Sequence, residues 1–388
     1  MGFVAVKQAP DPSQFEKHEP TSNSQTSMSA TLELSKLDYR LDGKTAKQLV
    51  RHMEKTLGVS RNSQDPSVAS SSRTLKRPSR TLFLTRQELK VGKPIARGGF
   101  GVVHHVESSK LHPAQQYVVK TVYPCKSSRN VLQAISQLYK EEHFLSQLKH
   151  KHIIRLEGCS HDGFHSIYHE KQMDAFFLVL PYLPETLTQR IAKWKKQKQD
   201  SSKRSPLRLT LKRKSEFELY REMYAERLQV AIDIASAMEY LHENRIVFRD
   251  LKPDNIGFDQ TGCIKLYDFG LAVQLAPDSD LDDMCDHLVG RAGTHRYMAA
   301  EVWCGQRYNV KADVFSFTLL LWQILTLEKP FGTLCEGTVY GDRPKIPKEW
   351  PTDLKRIIKR GWSTDLSERP HMKEMVYALE DVKRRMNL

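Results

Sequence analysis

An α+β chain of two lobes is the architecture this sequence predicts: a small strand-rich lobe over about 87–183, then a larger, mostly helical lobe over about 184–388. Three observations predict it. The first stretch carries short apolar runs, "KVGKPIA", "GVVHHV", "QYVVKTV", "HIIRLEG" and "AFFLVLPY", of strand length and spacing. A single stretch within it, "VLQAISQLYKEEHFLSQLK", has helical spacing. Beyond 184 the spacing turns helical throughout, in "ERLQVAIDIASAMEYLHE", "ADVFSFTLLLWQILTL", "TDLKRIIKRGW" and "MKEMVYALEDVKRRM". Strands gathered ahead of helices, rather than alternating with them, give segregated layers.

The elements follow in order. Residues 1–86 form an extension rich in Ser, Thr, Gln and Pro, as in "PTSNSQTSMSAT" and "SQDPSVASSSRT". Such sequence buries too little apolar surface to offset its ordering entropy and is expected to be mostly disordered. Within it, "KTAKQLVRHMEKTLG" sets Ala46, Leu49, Val50, Met53 and Leu57 on one helical stripe over 44–57, with Gly58 placed to end the helix. A docking helix and a transient helix in a linker both fit that pattern. Between two helical stretches, residues 193–214 carry ten Lys and Arg against the single acid Asp200. This segment reads as a basic inserted loop.

Composition narrows the function classes. The chain is 39% hydrophobic and 27% charged, as expected of a globular protein with a substantial core. Its six cysteines are scattered with no CxxC pair, which argues against a zinc site or disulfide framework and fits a reducing compartment. The most apolar stretch, "VFSFTLLLWQILTL", is shorter than a membrane span requires and interrupted by polar residues, so a buried helix is expected and no membrane insertion. The N-terminus "MGFVAVKQAP" lacks a signal-peptide pattern, and Val6 stands where myristoylation wants Ser or Thr. Cytoplasm or nucleus is the expected location. The basic segment supplies +9 of the net +14, so the charge marks no specific nucleic-acid-binding domain. An acidic partner or a nuclear import receptor would suit that segment; a solvated insertion is the plainer alternative.

Four stretches carry chemistry. In "IARGGFGVV", Gly98, Gly99 and Gly101 around Phe100 let backbone amides approach a polyphosphate between two strands. It is not a Walker A loop, because no GK[ST] follows, and a glycine-rich hairpin without a ligand would read the same. Lys120 sits among apolar neighbours in "YVVKTV", and the next helix offers Glu141 and the adjacent Glu142 as partners. "IVFRDLKPDNIGFD" packs Asp250, Lys252 and Asn255 into six positions, and "DFG" begins thirteen residues past Asn255, at Asp268. Asn255 and Asp268 are hard oxygen ligands of the kind magnesium prefers.

With "GTHRYMAAEV" at 293–302, these stretches stand in an order that resembles a eukaryotic protein kinase over about 87–388, some three quarters of the chain. The resemblance implies the two-lobed kinase fold, with an antiparallel sheet and one main helix in the small lobe. It implies ATP and magnesium as cofactors and protein substrates carrying Ser or Thr. Carried over by position, Gly98 and Gly101 cover the phosphates, and Lys120 holds them while pairing with Glu141, which the register favours over Glu142. Asp250 orients the substrate hydroxyl and accepts its proton, Lys252 neutralises charge on the moving phosphoryl group, and Asn255 and Asp268 hold the metal. Ala96, Gly99, Phe100, Val103, Val118 and Gly257 surround the nucleotide, with Leu180 as gatekeeper and Pro181, Tyr182 and Leu183 as hinge. Lys252 and Thr294 match Ser/Thr kinases, and "ADVFSFTLLLWQIL" with "GWSTDLSERP" is similar to the tyrosine-kinase-like group. Glu301 and Arg369 match the family's buried ion pair.

The departures from the family pattern are specific. Ala96 replaces the first loop glycine, and Ala300 the proline of the "APE" element. Phe248 stands where a histidine is usual; with Leu145, Leu156 and Phe269 it would complete an apolar column between the lobes. Val118 is larger than the usual alanine and Gly257 smaller than the usual aliphatic, so the two are expected to compensate by shifting the adenine cavity. Pro181 has no amide to donate, so adenine must use the remaining hinge groups. The segment 268–301 carries Ser279 as its main phosphorylatable residue, with Asp278, Asp280, Asp282, Asp283 and Asp286. An acidic side chain standing in for phosphate on Arg249, and a solvated acidic loop, are both open. A pseudokinase scaffold would usually lack one of Lys120, Asp250, Asn255 or Asp268. A small-molecule phosphotransferase would have no use for the protein-substrate apparatus of 293–302.

Overall fold

The computed structural model describes residues 40–57, 81–98, 101–122, 128–202, 216–276, 280–285, 288, 290–332 and 341–387. Gly99 and Phe100, as well as Asp278, Ser279 and Asp286, lie outside the described residues, as does most of the extension.

The small lobe is built on a six-stranded sheet. Strands β1 (Leu82–Leu84), β2 (Lys90–Arg97), β3 (Gly101–Glu107), β4 (Tyr117–Val122), β5 (Gly158–Ser160) and β6 (Phe177–Pro181) lie in the order β1-β5-β6-β4-β3-β2. The central strands β4 and β6 are apolar on both faces because both are covered, and Lys120 is the one half-buried residue of β4. The register sets Val118 opposite Leu180, and Lys120 opposite Val103 on one side and Leu178 on the other. The pairing is antiparallel as expected, except that β1 runs parallel to β5. β1 lies within the stretch 1–86, ahead of the boundary read from the sequence. Three residues are too few to display a strand period, yet Leu84 is fully buried. The "HIIRLEG" run is also not a strand along its length: Ile153 makes one bridge to Leu266, and pairing begins at Gly158. A side chain at Gly158 would press on Leu84 Cδ1 at 3.1 Å and Leu82 O at 3.2 Å, so glycine permits β1 to approach.

Helix α1 (Gly43–Leu57) is a docked element: Ala46, Val50 and Met53 are buried, the last two in the main core. Asp42 caps it, accepting the amides of Lys44 at 3.0 Å and Thr45 at 2.9 Å. The main helix of the lobe is α2 (Ser128–Leu145), and α3 (Ser166–Glu170) is a short turn beside α1.

The second lobe starts with β7 (Glu185–Thr186) and α4 (Leu187–Ser202), followed by α5 (Glu216–Glu243) and β8 (Ile246–Val247). Next come β9 (Ile256–Phe258), β10 (Ile264–Leu266), β11 (Val273–Gln274) and α6 (Ala300–Trp303). Helices α7 (Lys311–Thr326), α8 (Thr352–Gly361) and α9 (Met372–Arg385) complete it. α7 is buried from Lys311 to Leu325, which explains its apolarity on every face. Among the described residues no helix is long and apolar enough to cross a membrane. The basic segment is not a loop from its start: 193–202 continue α4, and 203–214 lie outside the described residues. Ile191 and Trp194, three apart, turn inward, while Lys193 and Lys195 face out to Glu185 at 2.9 Å and Glu328 at 3.2 Å.

Candidate active site

A cavity of about 530 Å³ lies between the lobes. Ala96, Gly98, Gly101 and Val103 of the β2–β3 hairpin line it from above, with Val118 of β4. The hinge wall is Leu180, Pro181, Tyr182 and Leu183, and Lys120, Glu141 and Asp268 meet at the inner end. The hairpin turn closes by a bond from the Gly98 amide to the Gly101 carbonyl, 2.8 Å. Tyr182 spends its own amide on Gln116 O at 2.9 Å, and Pro181 has none. Leu183 is therefore the first hinge residue with an amide to offer a ligand.

Gly257 is not on this wall, contrary to expectation. A Cβ there would lie 2.6 Å from Leu183 Cδ1: the leucine fills the space that an aliphatic side chain at 257 would take. The missing floor is supplied by Leu183, whereas Val118 is packed above, opposite Leu180.

Lys120 sits between two carboxylates. Its Nζ lies 2.5 Å from Glu141 Oε2 and 2.9 Å from Asp268 Oδ1, so Glu141 rather than Glu142 is the partner. Burial works against charge on Lys120, but the Asp268 and Glu141 carboxylates outweigh it and hold the lysine above its usual pKa range. One ammonium serves two acids unequally. The Lys120 charge holds Asp268 below the usual aspartate range. Glu141, deeply buried, is pushed up by desolvation, which Lys120 only partly counters.

The second cluster gathers around Asp250. Lys252 Nζ donates to Asp250 Oδ2 at 2.7 Å, and the Thr294 hydroxyl to Oδ1 at 2.7 Å; Lys252 also reaches Thr294 Oγ1 at 2.9 Å. Asn255 Nδ2 donates to Asp250 O at 2.8 Å and Oδ2 at 3.0 Å, which turns its amide oxygen the opposite way. Gly293 precedes Thr294 at φ +108°, and a Cβ there would meet Arg249 O at 2.2 Å. Only glycine brings Thr294 to Asp250. Arg249 and Asp268 both adopt left-handed backbone without being glycine, at φ 69° and 68°, strain that such sites hold against surrounding structure.

One residue that holds this loop was not singled out from the sequence. Asp313, at the start of α7, accepts the Phe248 amide at 2.7 Å and the Arg249 amide at 2.8 Å, with His242 Nε2 at 3.1 Å. The signal was present: a carboxylate opening a wholly apolar helix must be paired where it is buried. Phe248 stacks edge-on against Phe269, centroids 5.1 Å apart, and both are fully buried in one core with Leu145 and Leu156.

Arg369 and Glu301 form the expected pair, with two bonds of 2.6 and 3.0 Å, both residues buried. Arg249 contacts no acid of the activation segment among the described residues; it donates to Leu271 O at 2.6 Å and to the Tyr308 hydroxyl at 3.3 Å. Asp282 instead meets Lys311 at 3.2 Å and His371 at 3.2 Å.

Two lobes, a lysine held by a helix glutamate and an Asp-Lys-Asn loop define an architecture of the protein-kinase type. A family profile described as protein tyrosine and serine/threonine kinase matches residues 89–379, and the chain belongs to that family. Serine/threonine-protein kinase STY17 of Arabidopsis thaliana is 27% identical over 303 residues, 76% of this chain and 45% of that protein. Dual specificity protein kinase shkB of Dictyostelium discoideum is 40% identical over 154 residues, 38% of this chain and 23% of its own length. Serine/threonine/tyrosine-protein kinase HT1 of Arabidopsis thaliana is 33% identical over 180 residues, 45% and 44% of the two chains. This chain thus spans less than half the length of each of these relatives.

Proposed function

We propose that the chain is a Mg-ATP-dependent protein kinase that moves the γ-phosphoryl group of ATP to serine and threonine hydroxyls of protein substrates. The carrying observation is the Asp250–Lys252–Thr294 cluster, near enough to Asp268 for the Lys252 charge to lower its pKa. Adenine fits between Val118 and Leu183, with Leu183 offering the hinge amide. Lys120 would hold the α- and β-phosphates. The substrate oxygen forms its bond to the γ-phosphorus as the bond to the bridging oxygen breaks; its proton passes to Asp250, and ADP leaves with the bonding pair.

Magnesium suits the donors present, since Asn255 keeps its amide oxygen for a ligand and Asp268 leaves 44% of its side chain accessible. When bound, it would neutralise charge on the β- and γ-phosphate oxygens. The link from Lys252 to both Asp250 and Thr294 supports phosphoryl transfer to Ser and Thr hydroxyls, and the dual-specificity relatives make tyrosine the outcome to exclude. For the basic segment 193–214 a solvated insertion is the plainer reading and an acidic partner or import receptor the alternative, with cytoplasm or nucleus as the proposed location.

Purified protein incubated with labelled Mg-ATP and a generic protein substrate should yield phosphoserine and phosphothreonine, and the Asp250→Asn variant should not. Equal incorporation by the two would overturn the reading.

A further inference from the structure

Helix α1 has no counterpart in the stretch that matches the kinase profile, which begins at residue 89, yet it is built into the lobe that holds the nucleotide. It packs against α2, the helix that carries Glu141, and Val50 and Met53 are buried in the same core as Ile135 and Leu138 of α2. Both ends are tied down. Leu41 donates its amide to Lys171 O at 2.8 Å, and Glu54 meets His165 Nε2 at 3.0 Å. α2 is also close to the "DFG" turn: a Cβ on Gly270 would lie 3.0 Å from Gln137 Cβ. Met53, Gln137, Lys140, Gly270 and Leu271 wall one cavity of about 300 Å³, so α1, α2 and the turn bearing Asp268 border one space. Gln137 and Glu141 are one helical turn apart on α2.

We propose that α1 is a positioning element for phosphate binding: Val50 and Met53 brace α2 so that Glu141 stays on Lys120. The inference rests on the kinase reading above for the role of the Lys120–Glu141 pair. α2 packs against β4 and β6 and against the "DFG" turn, and a helix at such an interface can shift by about an ångström or two between alternative packings. With α1 seated, the 2.5 Å contact between Lys120 and Glu141 is maintained before any ligand arrives, so the ordering cost is not met at binding. Val50 and Met53 touch neither nucleotide nor substrate and act only through α2.

Because the pair grips phosphates and not the base, its loss has a particular signature. In the chain of 388 residues, affinities for Mg-ATP and for adenosine are measured separately for wild type, Met53→Ala, Val50→Asp/Met53→Asp and Met53→Leu. Undocking should weaken Mg-ATP by roughly tenfold, a typical coupling between sites, with adenosine unchanged. Met53→Ala should move in the same direction by less, and Met53→Leu should restore wild-type values. Undiminished ATP preference over adenosine in the double variant would overturn the proposal. So would parallel loss of both ligands in Met53→Ala, since that is the mark of a lobe merely weakened. A wild-type protein that binds Mg-ATP no better than adenosine would instead remove the kinase reading on which the proposal stands.

Discussion

Asp250 is held by Lys252, Thr294 and Asn255 at once, so its carboxylate is oriented before a substrate arrives. Asp250→Asn keeps the shape and removes the proton acceptor. The expected loss in kcat is roughly a thousandfold or more, read by steady-state phosphorylation with little change in the KM for ATP. Gly257 gives a prediction of a different kind. A leucine there must displace Leu183, driving it into the adenine cleft, so Gly257→Leu should weaken ATP binding. Leu183→Ala in the same chain should restore it, and Val118→Ala should not. A double-mutant cycle on nucleotide affinity distinguishes the two partners. Lys120, Asp250, Asn255 and Asp268 were legible as residue types at characteristic spacings. The pairing of Leu183 with Gly257 was not, because it joins two segments 74 residues apart that only folding brings together.

The activation segment shows what an element needs in order to stay placed. Asp282 is bound by Lys311 and His371, and Asn309 Nδ2 donates to its carbonyl at 2.8 Å. Asp282→Asn should therefore loosen the segment, raising the KM for a protein substrate by roughly two- to fivefold, the scale of a half-exposed ion pair. The KM for ATP should stay constant, and measuring both together checks the assignment. Strands longer than about five residues and helices with a full apolar stripe were readable in the sequence. Strand β1 and the continuation of α4 into the basic segment were not. β1 is too short to show a period and depends on Gly158 for its approach. α4 hides two inward residues, Ile191 and Trp194, among lysines that a charge count makes look like a loop.

At the scale of the whole molecule, stability and function oppose each other at the Lys120 site. Burial raises Glu141 above its ordinary value of 4.5, so at neutral pH its ionised form costs folding free energy. That cost is present above the folded pKa and fades as pH falls through it toward 4.5. Glu141→Gln should weaken Mg-ATP binding, and its stability difference from wild type should change as pH is lowered from neutrality toward 4.5, where Glu141 takes up its proton. Asp268 has the opposite sign: its lowered pKa stabilises the fold above about 3.8, and that stability is lost as pH falls through the folded value. Elsewhere charge burial is paired and structural. Arg369→Ala would strand Glu301 in the core and should cost about 3–5 kcal/mol, measured by denaturant unfolding.

The sequence by itself pointed to the order of the lobes, and its resemblance to the kinase family picked out Lys120, Asp250, Lys252, Asn255 and Asp268. The lobes rest on periodicity that one segment displays alone, and the residues on short motifs standing in a family's order. Only the tertiary structure decided that α1 docks on α2, that Leu183 covers Gly257, and that Asp313 holds the loop ahead of Asp250. Each of these joins surfaces distant along the chain. An amphipathic stripe shows that a helix will bury a face, but what it buries that face against depends on which other apolar surface the fold leaves open.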